Sequence, residues 1–243
     1  MTNQCHPLPT VAMIVPTLNE ERALGATLEA ALAQCTDGVR LFVADGGSSD
    51  GTVAVAERCG VPVVKCSQAG RGRQIAEVVR RLDEEIVLVL HADMIVQPGA
   101  IQRMRRWLAE HPSCPGGCFG HCFDSPRAVY RLVEAWDSLR ARFGMAYGDQ
   151  AQFFRRELLE RRGGFPRQPI MEDVELSRRL NALGRPAYLN YPVVVSPRRF
   201  ERLGWRRTVL TNLALRTVHR VGGQAASSRL HRWYYSRADN RDG

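Results

Sequence analysis

Ile86-Val87-Leu88-Val89-Leu90-His91-Ala92-Asp93 is the stretch on which the reading of this chain turns. Five consecutive apolar residues rich in Val, Ile and Leu predict a strand buried on both faces, as in a parallel sheet. The run then ends in an imidazole and a carboxylate. In open α/β sheets ligands bind just past the carboxyl ends of the strands, so His91 and Asp93 stand where a site is expected. Taken alone, the segment also reads as the polar start of an ordinary loop.

The same rhythm recurs on the N-terminal side. Val11 to Val15 predicts a strand, and Pro16-Thr17-Leu18-Asn19-Glu20-Glu21 follows it. Thr17 and Glu20 have capping-box spacing, Asn19 competes as N-cap, and Leu24, Leu28, Ala31 and Leu32 succeed at helical intervals. Arg40 to Ala44 gives a second strand, after which Asp45-Gly46-Gly47-Ser48-Ser49-Asp50-Gly51-Thr52 packs turn formers before a short helix ending near Gly60, with Asp50 as its expected N-cap. Val61 to Cys66 is a third strand, and Gly70-Arg71-Gly72-Arg73-Gln74 opens a helix to about Leu82. Strands alternating with helices predict right-handed crossovers and an α/β fold with a mostly parallel central sheet flanked by helices.

The second half is less regular. Pro98 suits a helix start, and an amphipathic pattern runs to about His111. Gly117 to Phe123 reads as a strand. Cys114, Cys118, Cys122 and His121 raise the thought of zinc, but no pair has Cys-x-x-Cys spacing and the strand alternation sets His121 opposite Cys118 and Cys122. Ser125-Pro126 begins a long helix to about Phe143, and Gly148-Asp149-Gln150 precedes Phe153-Phe154 and a short helix, Arg156 to Arg162. Met171-Glu172-Asp173 starts a helix to about Leu183 with Gly184 as its stop, where the helix dipole is expected to favour ionised Glu172 and Asp173. Tyr188 to Ser196 is the last strand.

Charge is distributed unevenly over the 243 residues. The net +9 is almost wholly in the tail: up to Pro197 there are 23 basic and 22 acidic residues, whereas Arg198 to Gly243 holds 11 arginines and 3 acids. Lys65 is the single lysine, and arginine's planar fork suits phosphate. Leu210, Leu213, Ala214, Thr217, Val218 and Val221 form a helical stripe in the tail, edged by Arg206, Arg207, Arg216 and Arg220. An anionic membrane surface is therefore the expected partner of residues 198–243, with nucleic acid the less favoured one. Met1 to Thr10 is not patterned like a signal peptide, no apolar run is long enough to span a bilayer, and seven cysteines are an odd number that fits a reducing compartment. A cytoplasmic protein, peripheral on the inner face of the membrane, is the expectation.

Polar groups collect at the predicted strand ends: Thr17 and Asn19, Asp45, Arg71 and Arg73, then His91 and Asp93. On a parallel sheet these converge along one edge, the way a nucleotide site is assembled. A carboxylate such as Asp45 can read a base or ribose, arginines can neutralise phosphates, and Asp93 can hold Mg2+ or Mn2+, with His91 tilting the choice to Mn2+. Neither a Walker A motif nor a GxGxxG fingerprint is present.

The blocks Val15-Pro16-Thr17-Leu18-Asn19-Glu20, Val43-Ala44-Asp45-Gly46-Gly47-Ser48-Ser49-Asp50-Gly51-Thr52, Leu90-His91-Ala92-Asp93 and Glu172-Asp173, with Phe154-Arg155-Arg156-Glu157 and Gly163-Gly164-Phe165, resemble in type and order glycosyltransferase family 2 over residues 11–185. That resemblance implies an inverting transferase with the A-type, Rossmann-like nucleotide-sugar fold. It implies a catalytic domain over 1–197, with a donor half near 11–95 and an acceptor half over 96–197, followed by the tail. Pro16, Thr17, Asn19, Glu20, Asp45, Gly46, Arg71, Arg73, Gln74, Ala92 and Asp93 would line the nucleotide-sugar site, Asp93 and His91 would face the metal, and Asp173 would be the base. Asp149, Gln150 and Glu172 are the expected contacts to an acceptor hydroxyl, a lipid-linked acceptor among the candidates. His91 and Gly46 depart from the family pattern, which more often has acids there. A sugar nucleotidyltransferase and a nucleotide-sugar-binding scaffold without turnover are the rival readings.

Overall fold

The structure, a computed structural model, describes residues 7–168 and 170–197, and single positions at 201, 204, 210, 211, 214, 217 and 218. The first half runs β1 (Val11–Thr17), α1 (Glu21–Leu32), β2 (Val39–Asp45), α2 (Thr52–Arg58), β3 (Val63–Lys65), α3 (Arg71–Val79) and β4 (Ile86–Val89). Then come β5 (Met94–Ile95), α4 (Ala100–Glu110), β6 (Gly116–Phe123), α5 (Ala128–Arg142), a 3₁₀ turn (Gly148–Gln150), β7 (Gln152–Arg155), α6 (Arg156–Glu160), α7 (Glu172–Leu183) and β8 (Ala187–Val195). Of the tail stripe, Leu210, Ala214, Thr217 and Val218 are helical and Leu210 is exposed. Leu213, Val221 and the tail arginines lie outside the described residues.

All eight strands share one sheet, ordered β3-β2-β1-β4-β7-β6-β8-β5. The expected parallel arrangement holds over β1, β2, β3 and β4, and again between β6 and β8. Antiparallel pairing enters with β7, which opposes both β4 and β6, and with β5, which opposes β8. α5 is the reason: it does not act as a crossover helix, so β7 enters opposite Cys118 and runs back towards Gly116, against the direction of β6.

The period of two in β1 and β4 decides the layers. Val11, Met13 and Val15 with Ile86, Leu88 and Leu90 face one core, shared with Leu24 and Leu28 of α1 and Ile101 and Met104 of α4. Ala12, Ile14, Val87 and Val89 face the other, under Ile75 and Val79 of α3 and Leu176 and Leu180 of α7. Leu88 is fully buried between such neighbours. Truncating a leucine of this kind to alanine costs about 2–5 kcal/mol.

The helix starts correct the local reading. Thr17 is not a capping-box residue, because its hydroxyl donates to Asp45 Oδ1 at 3.2 Å, and Glu20 at the N-cap position makes no side-chain cap. The β1–α1 and β2–α2 loops cap each other instead. Asn19 N–H donates to Ser48 Oγ, Glu20 N–H to Thr52 Oγ1 and Glu21 N–H to Asp50 Oδ2. In return Ser49 N–H donates to Asn19 Oδ1 and Gly51 N–H to Glu21 Oε2. Asn19 adopts φ 55°, a left-handed conformation that asparagine tolerates. Asp50 does accept from Thr52 N–H as expected, although Gly51 is the capping position.

Candidate active site

Register brings the first group together. Thr17 pairs with Asp45, and Asp45 with Lys65, so the ends of β1, β2 and β3 are level. Asp45 is buried. Its Oδ1 accepts from the Thr17 and Ser48 hydroxyls, at 3.2 and 2.5 Å, and its Oδ2 from the Gly47 and Ser48 amides, both at 3.0 Å. Burial opposes the charge, but the bonds from Ser48, Gly47 and Thr17 outweigh it and hold the carboxyl below its ordinary value. Both oxygens are thus spent on the loop in this conformation. Gln74, also buried, donates from Nε2 to Thr17 O at 2.8 Å and Ala44 O at 2.7 Å, tying α3 to the ends of β1 and β2. A Cβ at Gly46 would lie 2.9 Å from the Gln74 amide carbon. Gln74 therefore fills the room that an acid at position 46 needs.

The second group lines a shallow, partly open cleft at the ends of β4 and α7. His91, Glu172 and Asp173 line it, with Gly148 and Gln152 beside them. Asp173 Oδ2 accepts from Gly148 N–H and Oδ1 from Val174 N–H, both at 2.8 Å. These two backbone donors fix the carboxylate while leaving each oxygen a second lone pair. His91 packs against Gly148: a Cβ there would sit 2.6 Å from ring atoms Cε1 and Nε2, and 3.4 Å from Asp173 Oδ2. Only glycine at 148 allows the imidazole to stand next to the acid.

Glu172 corrects the expectation from the helix dipole. Its carboxyl is buried, Oε1 lies 2.9 Å from Arg71 Nε, and Oε2 has no hydrogen-bond partner among the described residues. Burial outweighs Arg71, neighbouring Asp173 adds to it, and the pKa is pushed up to about 7. Glu172 is therefore inside the wall and Arg71 is engaged by it. Gly72 packs on the 166–168 segment so closely that a Cβ would sit 2.5 Å from Pro166 O.

Asp93 is partly exposed in the turn between β4 and β5. That turn is anchored from within, because the buried Ala92 carbonyl accepts from Thr27 Oγ1 at 2.7 Å and Ser196 N–H donates to Asp93 O. Pro16 is buried in β1, and Arg73 is exposed on the first turn of α3. Asn19 and Glu20 serve the interlocked loops. Asp149 and Gln150, expected at an acceptor surface, are drawn inward: Gln150 is fully buried, accepting from Tyr147 N–H and Arg140 and donating to Asp137 O. Sequence reasoning missed Gln152, whose Nε2 donates to Asp173 O at 3.2 Å and to Ser177 Oγ at 2.9 Å, bracing the candidate base from below. A glutamine closely following Gly148-Asp149-Gln150 was the available signal. Among the described residues the cysteines do not gather around a metal, and the group of ligating side chains found there is His121, Asp137 and Asp149.

The profile of Glycosyl transferase family 2 matches residues 12–165, and the chain belongs to that family. Cellulose synthase 1 of Komagataeibacter xylinus is 25% identical over 206 residues, which is 76% of this chain and 13% of that one. Among solved structures, a mannosyltransferase from Pyrobaculum calidifontis in complex with GDP-Man and Mn2+ superposes with a TM-score of 0.66 at 24% identity, over 93% of this chain and 70% of that one. Glucosyl-3-phosphoglycerate synthase from Mycobacterium tuberculosis, in complex with Mn2+, UDP and glucosyl-3-phosphoglycerate, gives 0.60 at 22% identity over 88% and 80%. These similarities establish the A-type glycosyltransferase fold. The chain spans a small part of the cellulose synthase it matches.

Proposed function

We infer that this chain is an inverting, divalent-metal-dependent glycosyltransferase that moves a sugar from a nucleoside diphosphate to an acceptor hydroxyl. The observation that carries the reading is Asp173, held by two backbone amides at the rim of a cleft that opens beside the Asp93 turn. Breaking a sugar to diphosphate bond develops positive character at the anomeric carbon and negative charge on the leaving group. Asp173 takes the proton of the acceptor hydroxyl as that oxygen attacks. A single displacement from the face opposite the diphosphate inverts the anomeric centre.

The residues present fit a divalent ion. Ala92 is pinned inward, and His91 and Asp93 on either side of it are both partly exposed. An oxygen and a nitrogen donor at that position suit Mn2+ better than Mg2+. Bound there, the ion would supply charge neutralisation for the departing diphosphate. Gln74 and Asp45 order the loops that receive the nucleoside, and Arg73 offers an exposed guanidinium on the phosphate side. The donor complexes of the two solved neighbours, one with GDP-Man and one with UDP, both with Mn2+, support the donor class.

A panel of nucleotide sugars with Mn2+, read by nucleoside diphosphate release, tests the reading. Asp173→Asn is expected to lower turnover about 10²- to 10⁴-fold, the span of a lost general base, while donor-dependent thermal stabilisation persists. Full activity in that variant would remove Asp173 as the base. Release of pyrophosphate instead would favour the nucleotidyltransferase.

A further inference from the structure

Behind the cleft lies a second polar group that the transfer chemistry does not use. His121 is on β6, Asp137 on α5 and Asp149 on the 3₁₀ turn, three elements brought together only by the tertiary fold. One ligand atom from each lies within 4.8 Å of the others, and His121 Nε2 stands 3.7 Å from Asp137 Oδ2. The His121 side chain is fully buried, and neither ring nitrogen has a hydrogen-bond partner. Asp149 Oδ1 is likewise buried without one. Such orphaned atoms are rare in native interiors and point to an ion or water that completes them.

We propose that His121, Asp137 and Asp149 form a divalent transition-metal site, distinct from the donor site and sharing no residue with it. One imidazole and two carboxylates suit Zn2+ or Mn2+ rather than Mg2+. Tetrahedral ligand atoms on metal bonds of ~2.1 Å stand ~3.4 Å apart, close to the 3.7 Å between His121 and Asp137, so Asp149 is the ligand that has to move in, by up to ~1.4 Å from a separation within 4.8 Å. Charge favours the ion. The two carboxylates of Asp137 and Asp149 stand against the single guanidinium of Arg140, which leaves the cluster acidic.

Arg140 acts as the outer support. It donates to Asp137 Oδ1 at 2.6 Å, which turns Oδ2 towards His121, and its own guanidinium lies 3.2 Å over the Tyr147 ring. An outer partner of this kind orients a ligating carboxylate. The site would clamp β6, α5 and the 3₁₀ turn to one another. That turn carries Gly148, whose amide holds Asp173, so the ion would steady the position of the acid without touching substrate.

The test uses the full chain, stripped of metal and without nucleotide, titrated with Zn2+ and with Mn2+ by calorimetry, with Co2+ absorption as a second readout. One tightly held ion per chain is expected, retained in Asp93→Ala and weakened at least tenfold in His121→Gln and in Asp149→Asn. The wild type should also show a rise in Tm with Zn2+ that both variants lack. Asp149 is partly exposed, so Asp149→Asn carries the test if His121→Gln does not fold. No uptake by the wild type, or uptake unchanged in Asp149→Asn, would overturn the site and leave water as the partner of these atoms. Loss of uptake in Asp93→Ala alone would overturn it too, by assigning the ion to the donor site.

Discussion

Glu172→Gln isolates the cost of placing a carboxyl inside the wall of the cleft. The Glu172 side chain is 4% exposed, and burial moves its pKa from an ordinary 4.5 up to about 7. The folded chain therefore keeps a proton that the unfolded chain has already released. The wild type accordingly loses stability as pH rises from about 4.5 to about 7, and the loss stays complete above that. The gap between the two values corresponds to roughly 3 kcal/mol. Glutamine preserves the shape and cannot ionise, so its stability curve lacks this slope. Arg71, 43% exposed, is left to solvent, which shifts the variant by an offset but adds no slope over this range. Urea unfolding of both proteins at pH 5, 6, 7 and 8 should show the variant gaining most of ~3 kcal/mol on the wild type across the series, roughly 6–12 °C in Tm for a domain of this size. Parallel curves for the two proteins would refute the placement of an ionisable, desolvated carboxyl at 172.

Three further outcomes follow from particular contacts. Gly72→Ala forces a methyl group onto the Pro166 and Gln168 carbonyls and should cost about 1–3 kcal/mol, read as a lower urea midpoint, because the atoms in the way are backbone. Gln74→Ala removes the donor shared by Thr17 O and Ala44 O and should cost about 1–3 kcal/mol while raising the KM for donor more than it lowers kcat. For the tail, flotation with anionic liposomes should be strong for the full chain, fall when residues 198–243 are deleted, and weaken with salt. Equal flotation of the two chains would remove the tail as a membrane contact, and salt-sensitive duplex binding would favour nucleic acid.

β1 and β4 were legible because each contains an unbroken apolar run. Val11–Val15 and Ile86–Leu90 are fully buried on both faces apart from Val89, at 7% exposure, as strands in the middle of a covered parallel sheet are. The caps were misread because their donors are about thirty residues away in the neighbouring loop, where local spacing carries no information. α5 misleads for a different reason. Leu132, Trp136, Leu139 and Phe143 recur at helical spacing on one face, yet they are exposed at 74%, 66%, 50% and 78%, while Asp137 on α5 is buried. Asp137 instead lies on an inward face shared with Tyr130 and Ala141, where an amphipathic pattern gives no sign of an acid. Asp173 stood out through its block in the family order, whereas its supports, the Gly148 amide and Gln152, are set by tertiary contact alone.

β5 is only two residues long, yet Met94 and Ile95 pair with Val195 and Val194, a hundred positions later. The turn bearing Asp93 is therefore closed by the last strand of the fold. Closing so large a loop is entropically slow and comes after nearer contacts have formed. During synthesis the donor strands can assemble early while the turn between them and β5 waits for the far end of the domain. A fragment ending near residue 95 lacks the partner strand of β5, so the Asp93 turn would stand without the strand that closes it.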